Sequence, residues 1–398
     1  MSNFSRRGFL KTVGVGAGAL VGTRLAGRGL IGNARAATPE PTTVVVVYLN
    51  GGFNAIFSGA NAFTNTAFGV TANNVTAMGP VIIDSALGNA IPAAVRPNVA
   101  SIGIRHGISD HGNAQRSNFM NGNNSAPLQL ADAMGGTGAI KAAVVGGNQL
   151  PNGNNPTPVN GTSLQAINDM KATIDAIAGA QAAPNVADRA GMGKGLMAAD
   201  GMSRTTLDKH KNSLPSVDQG LKAAIATISK PIQPFNTQEF NTAYGLNGTA
   251  VNSFGARMAA AELMCRAGAN FVIAQDGGWD THGDTNGNNV RNMVTQRIAP
   301  GLGTFLTRMV QNAAPERNVI VAIFGDFNRS LPGSDHQANL TALLIGKTLK
   351  NTTTGLTNAN VGLAANSPSI MGLWQALGAA AKMDNSPFGA NPHAGILK

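Results

Sequence analysis

The sequence predicts an α/β protein built on a mostly parallel sheet, with helices that cover both faces of the sheet. Three apolar runs rich in β-branched residues, at 43–49, 270–274 and 319–324, are typical of strands that are buried on both faces. Apolar side chains recur at helical spacing between the second and the third run. Because strands that alternate with helices form parallel sheets, we expect these three strands to be parallel neighbours in one central sheet.

The length and composition favour a large core with many surface turns. A chain of 398 residues can bury a core as one large α/β domain or as two smaller ones. Charged residues make up only 12% of the chain, whereas glycine alone accounts for 50 residues. Such a composition is typical of turns and loops around a core and not of a long helical rod. The sequence contains no internal repeat.

The first 36 residues are predicted to be an export signal and not part of the folded domain. Residues 5–11 (SRRGFLK) resemble a twin-arginine signal, and the small residues Ala34 and Ala36, on either side of Arg35, suit cleavage before Ala37. The apolar run that follows is short and is interrupted by Arg24 and Arg28, so we expect no stable membrane span after processing. The sequence therefore predicts the twin-arginine export machinery as a partner, a mature domain at 37–398, and a periplasmic or secreted location.

The positive charge of the chain does not indicate nucleic-acid binding. The formal net charge is +10, but six of the 29 basic residues lie in the first 36 residues, which contain no acidic residue. The remaining 23 basic residues are balanced by 19 acidic residues, which leaves a net charge of +4. The mature chain carries no basic stripe with interleaved aromatic side chains, and nucleic acid is therefore excluded as a partner.

The first half of the mature chain contains short strand candidates and a helical stretch. The first strand ends in the glycine turn at 50–54, and a strand candidate at 100–104 leads into a segment with two histidines. Another short buried strand is predicted at 142–145. From residue 163 to about 250, apolar residues recur at helical spacing, which predicts a helical insertion or cap on the sheet.

The second half of the chain alternates between strands and helices. The strand at 270–274 is followed by a helical pattern that Pro300 is expected to interrupt at a bend. After the strand at 319–324, the run Thr341–Ile345 predicts a further strand, and residues 369–382 predict a helix. This order supports the mostly parallel sheet.

Two loops that follow predicted strands carry aspartate and histidine side chains. Residues 277–282 (GGWDTH) follow one strand, and residues 325–336 (GDFNRSLPGSDH) follow another. Aspartate oxygen and histidine nitrogen atoms are the ligands of divalent metals such as zinc. Since ligands of open parallel sheets bind at the carboxyl ends of the strands, the two loops predict one shared metal site.

The remaining histidines and the cysteine have simpler interpretations. His106 and His111 lie in a third loop at a predicted strand end, where we interpret them as polar loop residues. The only cysteine, Cys265, excludes an intrachain disulfide bond and follows a pattern that places it in a buried helix. A catalytic thiol is therefore not expected.

The motifs occur in the order that is typical of an exported bacterial family. The twin-arginine start, the Leu-x-Gly-Gly turn after the first strand, the Arg-Ser-x-Phe segment at 116–119, Gly-Trp-Asp-Thr-His and the block at 326–336 resemble the family named domain of unknown function 1501. This resemblance spans roughly residues 44–377. The family belongs to the alkaline phosphatase and sulfatase-like superfamily. The resemblance implies an alkaline-phosphatase-like, three-layer α/β/α sandwich with metal-binding Asp and His residues beside a hydroxyl nucleophile.

The resulting hypothesis assigns a role to each matching residue. A divalent metal, for example zinc, would be the cofactor, and its expected ligands are Asp280, His282, Asp326, Asp335 and His336. Ser117 is the candidate nucleophile, and Arg329 the candidate clamp on an anionic substrate. The implied function is metal-dependent hydrolysis of a phosphate or sulfate ester.

Two departures from the family pattern support an alternative. Asn54 stands where relatives often carry Asp, and Asn118 replaces a histidine of the Arg-Ser-His-Phe segment. Asparagine brings no negative charge to a cation and cannot do the acid–base work of an imidazole. The alternative is a non-catalytic periplasmic protein, a pseudoenzyme that retains the fold. A non-metal hydrolase that uses Ser117 with a nearby histidine is a third hypothesis, but the Gly-x-Ser-x-Gly elbow is absent at that serine.

Individual site residues also have structural interpretations. Asp280 follows two glycines and a tryptophan, where aspartate commonly caps a turn or a helix. Asp326 could form an ion pair with Arg329, and His282 and His336 could be half-buried, hydrogen-bonded histidines. The two sets of interpretations differ in whether the side chains converge on one point.

Overall fold

A computed structural model of the chain describes the regions that carry the predicted sheet and the predicted site. The described residues are 41–59, 69–136, 140–154, 156–178, 236–312, 317–330, 333–355, 362–363, 367–393 and 395–398, with short pieces between 191 and 209. The chain divides into two compact units, and the fold and site described here belong to the unit formed by Arg35–Ala182 and Ile232–Lys398. The predicted signal peptide, residues 1–36, lies outside the described residues.

Within the described residues, the central sheet has eight strands. In chain order they are β1 (Thr42–Leu49), β2 (Val99–Arg105), β3 (Ala142–Val145), β4 (Leu164–Ile167), β5 (Phe271–Asp276), β6 (Asn318–Gly325), β7 (Asn339–Ile345) and β8 (Thr352–Thr354). The order across the sheet is β8–β2–β7–β6–β1–β5–β3–β4. Only β7 is antiparallel to its neighbours. The expectation that the first, fifth and sixth strands are parallel neighbours is confirmed.

The helices are short, apart from one long helical segment. In chain order they are α1 (Ser85–Gly88), α2 (His111–Asn118), α3 (Ala126–Ala133), α4 (Met170–Ala178), α5 (Thr237–Tyr244), α6 (Phe254–Arg266), α7 (Asn288–Met293), α8 (Ala299–Phe305) and α9 (Met371–Ala380). The long segment joins α7 to α8 through a π-helical turn and ends in a second one, at Val294–Ile298 and Leu306–Gln311. Pro300 lies directly after the first π-helical turn. Since proline lacks an amide hydrogen and its ring crowds the carbonyl of the preceding turn, the predicted interruption takes the form of a wider helical turn.

Helices pack on both faces of the sheet. Successive residues of β1 alternate between two apolar clusters, because side chains alternate across a strand. Val45 and Val47 pack in the cluster that contains α6 and α8. Val44 and Val46 pack in the cluster that contains α3 and α9. All four valines are fully buried, and each such side chain stabilises the fold by about 1.5–3 kcal/mol. The result is three layers, with the sheet in the middle.

Within the described residues, three pairs of short strands and four 3₁₀ turns accompany the sheet and the helices. The pair Phe53–Asn54 and Asn328–Arg329 is parallel and ties the turn after β1 to the loop after β6. Antiparallel pairs join Val75–Met78 to Val81–Asp84 and Met120–Asn121 to Asn124–Ser125. The 3₁₀ turns are Ala55–Phe57, Ala72–Asn74, Arg96–Asn98 and Pro151–Gly153. The first of the strand pairs is the one that positions the candidate site.

The helical pattern predicted from residue 163 begins too early. Leu164–Ile167 is a strand, and it extends the sheet by pairing in parallel with β3. The prediction was wrong here because Leu164 and Ile167 are three residues apart, which fits one turn of a helix as well as a short strand. The backbone of β3 at the edge of the sheet pairs with this segment, and the local sequence does not encode that pairing. The helices α4 and α5 lie inside the predicted insertion, and most of 179–235 is outside the described residues.

Among the described helices, none combines the length and the apolar composition that crossing a bilayer requires.

Candidate metal site

Four loops meet at the carboxyl end of the sheet. They are the turn after β1, the segment between β2 and α2, the loop after β5, and the loop after β6. Three of the strands are adjacent and parallel, so their carboxyl ends lie at one edge. This edge is where ligands bind in open α/β sheets.

Gly51 is the residue at which three of these loops touch. Its backbone nitrogen donates a hydrogen bond to Asp326 Oδ2 at 3.1 Å, and its carbonyl accepts one from Arg329 Nε at 2.9 Å. Gly51 has a φ of +116°, and a Cβ atom there would lie 2.3 Å from the backbone nitrogen of Asp280. Only glycine tolerates both the conformation and the approach.

Asp326 lies beneath the site and has no exposed surface. Its Oδ1 accepts from the Tyr48 hydroxyl at 2.7 Å. Its Oδ2 accepts from Gln115 Nε2 at 3.0 Å and from the backbone of Gly51, and it lies 2.7 Å from His111 Nδ1. Burial, followed by the charge and the hydrogen bond of Asp326, raises the pKa of Tyr48 well above its ordinary value. Because both carboxylate oxygens are engaged, the expectation that Asp326 is itself a metal ligand is not supported, and the residue orients His111 instead.

His111 is the first residue of α2 and projects towards Asp280. The preceding Asp110 caps the helix, since its side chain accepts a hydrogen bond from Asn113 N at 2.9 Å. With Nδ1 directed at Asp326, Nε2 lies 3.6 Å from Asp280 Oδ2. This Nε2 atom is buried and has no hydrogen-bond partner among the described residues. A buried nitrogen of this kind requires an explanation, and a bound cation supplies one.

His336 and His282 direct their Nε2 atoms at each other. His336 Nδ1 lies 2.6 Å from the carbonyl oxygen of Ser109, which can only accept, so the Nδ1 atom carries the hydrogen. His282 Nδ1 lies 3.0 Å from Asp335 Oδ1. The two Nε2 atoms are 2.9 Å apart. Two neutral rings would present lone pairs to each other there, so the pair requires a shared proton or a cation.

Asp280 completes the group. One ligand atom each from His111, Asp280 and His336 lies within 4.8 Å of the others. His282 Nε2 lies 3.2 Å from Asp280 Oδ1, so it adjoins the same group. These four residues are called the acceptor cluster below. Each of them offers only a lone pair towards the centre, which is the requirement of a cation site.

The pKa shifts of two members favour metal-binding protonation states. Partial burial opposes ionisation of Asp280, but the hydrogen bond and charge of Arg329 outweigh it and lower the pKa of the carboxyl group. Burial lowers the pKa of His336, against the hydrogen bond to Ser109, and the nearby His111 and Arg329 lower it further. A carboxylate and a neutral imidazole are the forms that bind metals.

Arg329 is buried and structural. It is 1% exposed, and its Nη1 donates to the carbonyl oxygen of Ser334 at 2.6 Å. Other donors of the guanidinium bind the Gly51 carbonyl and Asp280. Burial lowers the pKa of Arg329, partly offset by Asp280 and Asp326. The expectation that Arg329 clamps a substrate anion is not supported, because its donors already hold the loops together.

Asp335 supports the acceptor cluster from its edge. Its side chain is 71% exposed, and Oδ1 contacts His282 Nδ1. Asp335 is not in the group whose ligand atoms lie within 4.8 Å of one another in the described part of the chain, and its contact fixes the ring of His282. Asp326 and Asp335 thus each orient one imidazole ring, that of His111 and that of His282 respectively.

Ser117 lies on the other side of α2 from the acceptor cluster. At 3.6 residues per turn, it is about 240° around the helix from His111, whereas Gln115 and Asn118 lie within about 40° of it. Ser117 lines a cavity of about 520 Å³ together with Asn113, Arg116 and Ser109, the residue whose carbonyl oxygen contacts His336. Its expected role as a nucleophile beside the metal is not supported by this orientation.

The two asparagines that depart from the family pattern are buried parts of the scaffold. Asn54 Oδ1 accepts from Ile56 N at 3.1 Å and caps a 3₁₀ turn. Asn118 Nδ2 donates to the carbonyl oxygens of Gly325 and Asp326, at 3.2 and 3.0 Å. Neither contacts the acceptor cluster among the described hydrogen bonds, so their chemistry does not decide whether the cluster holds a metal.

Several residues outside the acceptor cluster have structural roles. Trp279 is 1% exposed and donates a hydrogen bond to Asp276 Oδ2 at 2.9 Å, so it anchors the loop after β5. Cys265 is buried in α6, and burial raises the pKa of its thiol to about 12. Burial lowers the pKa of both His106 and His393 to about 4. His210 lies outside the described residues.

The sequence interpretation missed His111 as a member of the site. Its position offered one signal, because it follows a strand that ends at the same sheet edge as the two motif loops. The decisive fact is its contact with Asp326, which is 215 residues away in the chain. No local pattern encodes that contact.

Comparison with known proteins identifies one family. The family described as "Protein of unknown function (DUF1501)" matches residues 234–369, roughly a third of the chain. This match supports the resemblance to that family. The match includes Asp280, His282 and His336, but it begins after His111 in the chain. No curated protein matches the chain.

Proposed function

We propose that this protein binds a divalent metal, zinc in the first instance, at the acceptor cluster and hydrolyses a phosphate or sulfate ester there. The observation that carries the proposal is the convergence of three imidazole Nε2 atoms on the Asp280 carboxylate. His111, His282 and His336 each have Nδ1 directed at an acceptor, namely Asp326, Asp335 and the Ser109 carbonyl.

The residues fit zinc better than a harder cation. Imidazole nitrogen suits zinc, whereas calcium and magnesium prefer sites made of oxygen ligands. A cation would supply a partner for the buried Nε2 of His111, which has none among the described residues, and would remove the repulsion between the facing Nε2 atoms of His282 and His336. Oriented histidines of this kind are typical of metal sites in which a second shell fixes each ring.

The exposure of the cluster leaves room for a substrate. The side chains of Asp280 and His282 are about half exposed, at 52% and 48%. A bound divalent cation would lower the pKa of a water molecule and neutralise charge that develops on an ester group. Asp280, held by Arg329, is placed to accept a proton from an attacking water molecule. The attacking group is then water, since Ser117 faces away.

An alkaline-phosphatase-like fold and an exported location belong to the same proposal. A mostly parallel sheet with Asp and His residues at its carboxyl edge supports the first. The sequence SRRGFLK near the amino terminus supports the second. The alternative is the pseudoenzyme, which retains the sheet and the loops without binding metal.

The decisive experiment measures metal content and melting temperature together. The native protein should contain zinc, and chelation should lower its melting temperature, since a ligand at a hundred times its Kd contributes about 2.7 kcal/mol. The double variant His111→Ala/His336→Ala should contain no zinc and melt at a temperature that chelation does not change. Asp175→Ala removes a surface carboxylate paired with Lys171 and serves as the control that keeps native behaviour.

Hydrolysis of p-nitrophenyl phosphate and p-nitrophenyl sulfate by the zinc-loaded protein tests the activity. We expect activity to be lost in the histidine double variant and retained in Ser117→Ala. A native protein that binds no zinc and melts identically with and without chelator would leave the pseudoenzyme as the function. Activity that depends on Ser117 would overturn the assignment of water as the attacking group.

A further inference from the structure

A second cavity opens at the same edge of the sheet, beside the acceptor cluster. It has a volume of about 400 Å³, within the range of roughly 300–1,000 Å³ that is usual for small-ligand sites. Its lining is unusual in composition, because five of the side chains are amides: Asn50, Gln115, Asn148, Gln149 and Gln275. These residues lie at the carboxyl ends of β1, β3 and β5, and on α2.

Several of these amides have hydrogen-bonding groups that the described residues leave unused. Gln115 donates from Nε2 to Asp326, which leaves its carbonyl oxygen. Asn148 accepts at Oδ1 from Asn168, which leaves its amide hydrogens. The side chain of Gln149 is exposed and makes no hydrogen bond within the described part of the chain, where only its backbone carbonyl accepts, from Gln275. The cavity therefore offers donors and acceptors together.

The cavity offers little charge to a ligand. The only charged side chain in its lining is Arg257, and that guanidinium is paired with Asp276 Oδ1 at 3.0 Å. Its Nε atom is buried and has no hydrogen-bond partner among the described residues, and Asp276 also pairs with Arg297. The lining therefore has one partly neutralised cation and no carboxylate. A mixture of amide donors and acceptors without charge suits hydroxyl groups, each of which both donates and accepts.

Two residues connect the cavity to the acceptor cluster. Gln115 lines the cavity and also binds Asp326, which orients His111. Asn50 lines the cavity, and its backbone carbonyl accepts from Trp279 N at 3.0 Å, next to Asp280. A molecule in the cavity would thus lie alongside the loops that carry the cluster.

We propose that the amide-lined cavity binds an uncharged, hydroxyl-rich molecule, a sugar or a polyol. Resting on the proposed function, this molecule is the alcohol part of the ester, so that the substrate class is a sugar or polyol phosphate or sulfate. The ester group lies at the acceptor cluster, and the hydroxyl groups of the alcohol bind the amides. Asn148 and Gln149 then determine the substrate specificity, because they contact the alcohol and not the ester group.

The first test measures binding without any reaction. Saturation-transfer NMR would use methyl β-D-glucopyranoside, methyl β-D-galactopyranoside and myo-inositol as probes, at millimolar concentrations. The protein would be freed of metal with a chelator. We expect at least one probe to bind, and the double variant Asn148→Ala/Gln149→Ala to weaken it about tenfold, the sum of two neutral hydrogen bonds. Both side chains are exposed, so the fold should be unaffected. Gln238→Ala, which removes an exposed amide on α5, is the matched control.

A second variant tests the cavity by filling it. A Cβ atom at Gly277, which lines the cavity, would have no atom within 4 Å. Gly277→Leu should therefore fold normally and weaken binding of the same probe. Binding that neither variant changes, or no binding of any probe, would overturn the proposal. So would inorganic phosphate that competes with the probe in the absence of metal, since this would make the cavity an anion site.

The third arm separates this inference from the hydrolase proposal. With zinc-loaded protein, the Asn148/Gln149 double variant should raise KM for glucose 6-phosphate about tenfold and leave KM for p-nitrophenyl phosphate unchanged. Equal effects on both esters would overturn the role in specificity. Probe binding by a protein that hydrolyses neither ester would support the cavity and contradict the hydrolase.

Discussion

The acceptor cluster and the Glu262 cluster are both built around a carboxylate, but they differ in the number of donors that surround it. The Glu262 cluster consists of Glu262, Tyr244, Arg266 and Arg308. Glu262 has no exposed surface, and its oxygens accept from the Tyr244 hydroxyl at 2.6 Å and from Arg266 Nε and Arg308 Nε, both at 2.8 Å. At the acceptor cluster, Asp280 meets one donor residue, Arg329, and three imidazole nitrogens with lone pairs.

This difference separates a structural network from a binding site. In the Glu262 cluster every strong acceptor has a donor within the chain, so the network is complete when the protein has folded. Burial opposes ionisation of Glu262, but hydrogen bonds from Arg308 and Tyr244 and the charge of Arg266 outweigh it and lower its pKa. The acceptor cluster is incomplete in the same sense, because Arg329 is the single positive residue described against one carboxylate and three imidazole nitrogens. A group of titratable residues therefore indicates a ligand when its acceptors outnumber its donors.

The largest expected effect comes from breaking the complete network. Glu262→Ala removes the carboxylate and leaves two arginines and a tyrosine hydroxyl without their partner. Loss of one side of a buried ion pair costs about 3–5 kcal/mol. We expect the free energy of unfolding, measured by urea denaturation, to fall by that order. The loss should be the same with and without chelator, because the network takes no part in metal binding.

The pH dependence of the same network provides an internal check. The pKa of Glu262 is lowered from its ordinary value of 4.5 in the folded protein. Its contribution to stability is therefore fully present above pH 4.5 and is lost as the pH falls through the folded pKa. The stability difference between native protein and Glu262→Gln should shrink over that range of pH. A difference that stays constant would show that the carboxylate is not held as an anion.

The next effect concerns the orientation of His111. Asp326→Asn replaces the acceptor of the His111 Nδ1 hydrogen with an amide that can present a donor instead. Loss of such a second-shell partner typically weakens metal affinity 10–100-fold, and we expect about that effect on zinc, measured by competition with a chromophoric chelator. Glu262→Gln is the matched control, since it makes the same change in a buried network. Native zinc affinity in a folded Asp326→Asn variant would show that His111 is held by other contacts.

The smallest effect should come from the exposed partner of His282. Asp335→Asn alters a hydrogen bond whose carboxylate is 71% exposed, and exposed pairs of this kind contribute about 0–1 kcal/mol. We expect zinc affinity to fall less than about fivefold. A loss as large as that of Asp326→Asn would contradict the assignment and restore Asp335 as a direct ligand.

The sheet could be predicted from the sequence because burial on both faces leaves a continuous apolar run. Strands β1, β5 and β6 each carry such a run, and their parallel pairing follows from the helices between them. Strand β4 could not be predicted in this way. It is four residues long with two exposed side chains, and only its backbone pairing with β3 makes it a strand.

The candidate site could be predicted in place but not in detail. Asp280, His282 and His336 meet where the order of the strands requires. The roles of Asp326 and Arg329 depend on which oxygens and donors are already engaged, and those partners come from Tyr48, Gly51 and Ser334, in other parts of the chain. Sequence spacing predicts which strand ends lie at the same edge of the sheet. It does not predict which hydrogen bonds form between side chains from distant segments.

The turn at Gly51 has a consequence for the thermodynamics of binding. One residue, Gly51, links the loops that carry Asp280, Asp326 and Arg329, through hydrogen bonds of its amide and of its carbonyl oxygen and a contact closer than any side chain allows. The conformational entropy of these loops is therefore lost when the chain folds and not when a ligand arrives. The ligand atoms are therefore already in place when a cation binds, and little binding free energy is lost to ordering of the protein. Because Gly51 fixes these loops during folding, the entropy cost of ordering them does not weaken the affinity of the site.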